Sequence, residues 1–184
     1  FARIAEATDN PDGTVVIIDQ PKIVTGVFGS VFYIQEPDRT RGLRIESNAS
    51  VALGDLVRVA GRLAVSDGER CLRDAEVVKQ GSGAAPKPVA LRISDIGGSA
   101  PDSYTPSIGG TGAYNIGLLV RTMGRVTARG SGWFEITDGS GAVAKVLSSL
   151  VLEPGTFVAV TGVASTEASQ RLVRTINPSD VTVY

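Results

Sequence analysis

The sequence contains no histidine. That removes the commonest general base at neutral pH, the commonest metal ligand, and every Ser-His or Cys-His nucleophile pair. A single cysteine, Cys71, excludes an intramolecular disulfide and cannot build a thiolate zinc site. In the strand-like run from Glu69 to Arg73 a half-buried thiol is its ordinary reading. Charge excess is also missing. The 18 Lys and Arg residues oppose 19 Asp and Glu residues for a net charge of -1, so the basic surplus of a dedicated duplex-DNA binder is absent. The longest uncharged stretch, Ser103 to Val120, is broken by Pro106 and by glycines, so it cannot supply the roughly 20 apolar residues of a membrane-crossing helix. The chain opens at Phe1 without an initiator methionine, as expected of a processed exported chain or of an excised fragment. The expectation is a protein of the cell surface or exterior.

What the sequence does hold is glycine, 22 residues, and short runs of Val, Ile and Leu between turn signals. That is the composition of an all-β chain. After the turn Asn10 to Gly13, a first strand runs from Thr14 through Phe28. Val31 to Glu36 and Leu43 to Glu46 flank the polar turn Pro37 to Gly42 as a hairpin. Leu56 to Val65 alternates, and Asp67-Gly68 turns it into a fifth strand from Cys71 to Val78. The plan then recurs: Leu118 to Thr127, Gly132 to Thr137, the turn Asp138 to Gly141, and Ala142 to Val146. Gly54 and Gly61 bracket Asp-Leu-Val-Arg-Val-Ala as Gly155 and Gly162 bracket Thr-Phe-Val-Ala-Val-Thr, each glycine displaced by 101 residues. A five-strand unit repeated at near-constant offset predicts two homologous barrels in tandem. Gly26, Gly61, Gly124 and Gly162 are the expected bends of their long strands.

A glycine-kinked first strand, an aromatic hairpin of the Phe32-Tyr-Ile-Gln-Glu36 and Trp133-Phe-Glu-Ile-Thr137 type, and the Gly-Asp-Leu-Val-Arg-Val-Ala-Gly strand together resemble the OB-fold, the oligonucleotide/oligosaccharide-binding barrel. Pro37 to Ile45 and Asn115 to Thr127 are similar to segments of secreted bacterial tandem OB-fold proteins. The resemblance implies an all-β chain of two five-stranded OB-fold-like barrels joined by a long Gly/Pro-rich linker. The divisions are an N-terminal arm at 1–13, a first barrel at 14–80, a linker at 81–116 and a second barrel at 117–184. A linker of that length is expected to pack against a barrel or a neighbour.

No constellation for catalysis emerges, and no cofactor or metal is expected. Gly109 to Gly112 lacks the lysine of a phosphate-binding loop, and Asp9, Asp12, Asp38, Asp67, Asp102 and Asp138 sit singly in turns, where aspartate stabilises turn backbone. For binding, the resemblance points to the second and third strands of each barrel, where Tyr33, Arg39, Arg41, Arg44, Trp133 and Lys145 form the candidate ligand face. Alternation allows one of each aromatic pair, Phe32/Tyr33 and Trp133/Phe134, to face outward. Phe1 and Ile4 are the candidate self-association residues, because two large apolar side chains on a short arm gain little in water. The leading expectation is thus a non-catalytic extracellular structural or interaction protein that self-associates as a homo-oligomer, polymer or filament. Its rival is a secreted protein binding single-stranded nucleic acid or an oligosaccharide.

Overall fold

A computed structural model describes residues 1–184. The first barrel is made of β1 (Val15–Phe28), β2 (Val31–Gln35), β3 (Gly42–Glu46), β4 (Asp55–Ser66) and β5 (Glu69–Ser82), closed in the order β1-β2-β3-β5-β4. After the two-residue strand β6 (Val89–Ala90), the second follows as β7 (Leu119–Gly130), β8 (Trp133–Thr137), β9 (Val143–Leu147), β10 (Phe157–Glu167) and β11 (Gln170–Arg174). These pair as β7-β8-β9-β11-β10, and β10 returns to β7. In both barrels the third and fifth strands pair in parallel while the other neighbours run antiparallel. Two copies of one strand order, with the same single parallel pairing, make the chain a tandem OB-fold. A last strand, β12 (Val181–Val183), adds to the free length of β10.

Period-two patterning decides what goes inside. Phe32, Ile34, Leu43 and Ile45 fill the first barrel, and Phe134, Ile136, Ala144 and Val146 occupy the matching places in the second. The hairpin from β4 to β5 turns on Asp67 and Gly68, both at positive φ, the conformation an Asp-Gly pair adopts readily. Its counterpart puts Ala168 (φ 49°) and Ser169 (φ 62°) in that same left-handed region without glycine. Of the expected bends, Gly26 and Gly61 do lie at irregularities of register. Gly124 and Gly162 instead lie in unbroken pairing between β7 and β10, so the bend expected there is not what keeps them glycine. A Cβ at Gly162 would sit 2.5 Å from the Arg174 carbonyl oxygen, and close backbone approach is the requirement.

The segment ahead of each barrel is built into that barrel. Helix α1 (Ile4–Thr8) inserts Ile4 and Ala7 into the first core. A 3-10 turn over Ile93–Asp95 inserts Ile93 and Ile96 into the second. The anchoring bonds match: the Ile4 amide donates to Glu36 Oε1 at 2.7 Å, and the Ile93 amide donates to Asp138 Oδ2 at 2.8 Å. Each carboxylate lies at the end of the hairpin's first strand. Arg3-Ile4-Ala-Glu-Ala7 and Arg92-Ile93-Ser-Asp-Ile96 are therefore one element of the repeat.

This corrects the reading of Ile4 as a self-association residue on a short arm. Ile4 is fully buried in its own barrel, packed in the first core with Ala7, and is not available for docking to a neighbour. Phe1 stays 46% exposed, but its ammonium group donates to the Ile17 carbonyl at 2.7 Å, fixing it to β1. Lys22 lies beneath the arm, bonding the Ala2 carbonyl at 2.7 Å and Glu36 at 3.0 Å. The linker likewise lies on the protein, and β5 runs on to Ser82, past the expected boundary at 80.

Candidate binding surface

The two barrels are pressed together, and the contact runs through the face on which ligand binding was expected in the first. Alternation does turn Tyr33 out of its barrel, yet Tyr33 is fully buried, because the β10–β11 hairpin of the second barrel covers it. Its hydroxyl donates to Glu69 Oε2 at 2.9 Å. Glu69 Oε1 accepts from the Ser165 hydroxyl and, at 3.0 Å, from the Thr166 amide. Burial, followed by the nearby Glu69 charge, pushes the Tyr33 pKa well above its ordinary value, so the phenol stays a neutral donor. Nearby, the Leu119 amide donates to the Gln35 side chain at 2.8 Å, and Gly42 and Gly117 touch so closely that a Cβ on Gly42 would fall 2.2 Å from the Gly117 carbonyl.

The arginines of the first barrel are consumed in the same way. Arg44 is 7% exposed and pairs with Glu46 at 3.1 Å and Asp67 at 2.9 Å. Arg41 is 8% exposed, lies 3.7 Å from Asp102 and 5.4 Å over the Tyr114 ring, and burial lowers its pKa. Tyr33, Arg41 and Arg44 are therefore corrected from candidate ligand residues to groups enclosed between barrels, hairpin and linker. Only Arg39 of the set projects free, at the tip of the β2–β3 turn. An open polar groove of about 660 Å³ remains beside β3, but its arginines, Arg44 and Arg73, both face Glu46.

The second barrel has the reverse arrangement. Phe134 goes to the core and Trp133 lies on the outer surface, half-buried, with the Lys145 ammonium 5.0 Å from its ring centroid. Lys145 enters no ion pair, nor do Arg121, Arg125, Arg171 and Arg174; Arg129, paired with Glu153 at 2.9 Å, is the exception in this barrel. Arg121 and Arg125 were not singled out in the sequence, although their spacing of four within a strand places both on one face. Between them is Met123, 45% exposed, and Phe157 stands opposite Arg125 in register. A net charge of -1 thus hides an uneven distribution: most first-barrel cations are in ion pairs, Arg39, Arg58 and Arg62 excepted, while in the second barrel Arg129 alone is paired. No group of His, Cys, Asp and Glu residues is close enough together to hold a metal ion.

No protein-family model matches the chain, and no curated protein matches it. Solved structures show a distant likeness. A murine DNA-binding protein bound to double-stranded DNA is 9% identical with a TM-score of 0.40, covering 93% of this chain and 97% of its own. The Ifi202 HINa domain, in complex with a 20-base-pair duplex, is 10% identical at the same TM-score and covers 93% and 98%. At such scores the likeness carries no argument about this chain.

The outer surface of the second barrel offers one aromatic plane on β8 beside a Lys145 ammonium on β9 that is in no ion pair, with the guanidinium groups of Arg121 and Arg125 on β7, which donate to the Thr161 hydroxyl and the Gly155 carbonyl and face no carboxylate. An indole face can stack on a planar base or a sugar ring, while the ammonium and guanidinium groups can meet phosphate oxygens.

Proposed function

We propose that the protein is a non-catalytic binding module whose second barrel holds a single-stranded nucleic acid across β8 and β9. The observation that carries this is the pair Trp133 and Lys145. It is the one aromatic–cation pair on an outward barrel face that the fold leaves open, and its cation is in no ion pair, although Glu135 stands opposite it in register. Stacking of a base on Trp133 supplies affinity of about 1–3 kcal/mol, and Lys145 meets the adjoining phosphate. The first barrel, its matching face closed by Tyr33, Glu69 and Ser165, acts as the rigid support. Self-association into a polymer drew on apolar accessory segments, the arm among them. With Ile4 inside its own core, that support is gone, and a cationic surface favours a polyanion over a second copy of a chain of net charge -1.

Fluorescence anisotropy of a labelled single-stranded dodecamer tests the proposal. Trp133→Ala and Lys145→Ala should each weaken binding about tenfold, and Lys145→Ala should also lower the slope of log affinity against log salt by about one. Binding no tighter than the non-specific range of roughly 10⁻⁴ to 10⁻⁶ M at physiological salt contradicts it. So does salt-independent, Trp133-dependent binding of an oligosaccharide, which would make the ligand a glycan.

A further inference from the structure

Away from the β8–β9 surface, a cleft of about 400 Å³ opens where the β2–β3 turn of the first barrel meets the connecting segment. Its volume is that of a small-molecule site. Val89, Leu91, Tyr114 and Leu118 supply apolar wall, and two charged side chains, Arg39 and Asp95, line it as well. The wall is firm. Tyr114 and Leu118 are 7% and 3% exposed, and β6, which carries Val89, is paired with β7.

The two charges are opposite, share one cleft, and do not pair with each other. Arg39 belongs to none of the chain's ion pairs. Asp95 is held through Oδ1, which accepts from the hydroxyls of Ser94 and Thr111, and Oδ2 is left without a donor. A ligand carrying only a carboxylate would gain Arg39 and be repelled by Asp95. One carrying only an ammonium group would meet the converse. A zwitterion with an apolar substituent satisfies all three parts of the cleft: its carboxylate takes the Arg39 fork, its ammonium group takes Asp95 Oδ2, and its side chain lies on Leu91, Tyr114 and Leu118.

We propose that this cleft is a binding site for a free apolar amino acid, aromatic or large aliphatic. The site is independent of the nucleic-acid surface, sharing none of its residues, and either proposal can fail without the other.

Titration calorimetry of the whole chain with L-phenylalanine tests it, alongside 3-phenylpropanoate and phenethylamine, which each keep one charge, and glycine, which keeps both charges without the ring. Phenylalanine should bind saturably, and each of the three analogues at least tenfold more weakly. Arg39→Gly removes the cation at a residue whose φ of +60° glycine accepts freely, so folding is preserved. It should cost phenylalanine tenfold or more in affinity with no fall in the thermal midpoint. Asp95→Asn, which keeps the oxygen that Thr111 bonds, should do the same. The proposal is overturned by absence of saturable phenylalanine binding, by 3-phenylpropanoate binding as well as phenylalanine, or by an unchanged affinity in Arg39→Gly.

Discussion

Replacing Glu69 with alanine should damage both barrels at once. Glu69 is 1% exposed and stands in the first barrel, yet two of its three donors, the Ser165 hydroxyl and the Thr166 amide, belong to the second. Its removal leaves those groups and the Tyr33 hydroxyl without their acceptor in a buried contact, at about 1–3 kcal/mol for each group left unsatisfied. The loss is partly recovered, because Tyr33 Oη and Ser165 Oγ are 3.5 Å apart and either hydroxyl can turn toward the other. The Thr166 amide cannot turn. A net cost of about 3–5 kcal/mol follows, in line with breaking a buried charged network. For a chain of this size that corresponds to roughly 6–20 °C in thermal midpoint. Guanidinium denaturation followed by tryptophan fluorescence is the assay, since the only tryptophan, Trp133, lies in the barrel that does not contain the mutation. A Trp133-reported midpoint that stays in place, or moves by less than about 1 kcal/mol, would show that the barrels are not coupled and that the first barrel's face is not sealed as described.

Ile4→Ala removes a fully buried side chain from the first core and should cost about 2–5 kcal/mol by denaturant titration; a variant as stable as its parent would return the arm to the role of a loose appendage. Asp38 is held at a pKa of about 2 by the Thr40 hydroxyl and by Arg3, so the contribution of this clamp is complete above the ordinary aspartate pKa and lost as pH falls toward 2. Asp38→Asn should therefore flatten the thermal midpoint between pH 4 and pH 2, and an unchanged acid dependence would assign the loss to another group. Ala168→Asn combined with Ser169→Gly gives the β10–β11 turn residues suited to its positive φ angles and should raise the thermal midpoint by an amount equivalent to about 1–2 kcal/mol. A fall in midpoint would mean that the two side chains earn their strained backbone by some other contact.

The barrels were legible in the sequence because their determinants are local. Alternation at Phe32 to Gln35 and Trp133 to Thr137, the Asp67-Gly68 turn, and the repeated Gly-x6-Gly strand each act within a few residues, and the 101-residue displacement joins them into two copies. The state of the surface was not legible. Periodicity turns Tyr33 and Trp133 outward with equal force, and nothing near either residue tells that one will meet Ser165 from the other barrel and the other will meet water. The arm was misread for a different reason. Phe1 and Ile4 look alike as apolar residues on a short segment, and only the match between Arg3-Ile4 and Arg92-Ile93, too brief to stand out among longer strand repeats, marks Ile4 as a core plug. Arg121 and Arg125 were readable by strand alternation but drew no attention in a chain of net charge -1, because a total charge conceals which cations have partners.

The central claim, that the open site is Trp133 with Lys145 on the second barrel and not the sealed face of the first, is tested most directly by the intrinsic fluorescence of Trp133 during titration with an unlabelled single-stranded oligonucleotide. Because no other tryptophan is present, the signal reports that surface alone. The account predicts saturable quenching that shifts to higher oligonucleotide concentration as salt is raised and that weakens about tenfold in Lys145→Ala. Oligonucleotide binding demonstrated by another method with Trp133 emission unchanged would place the ligand elsewhere and contradict the account.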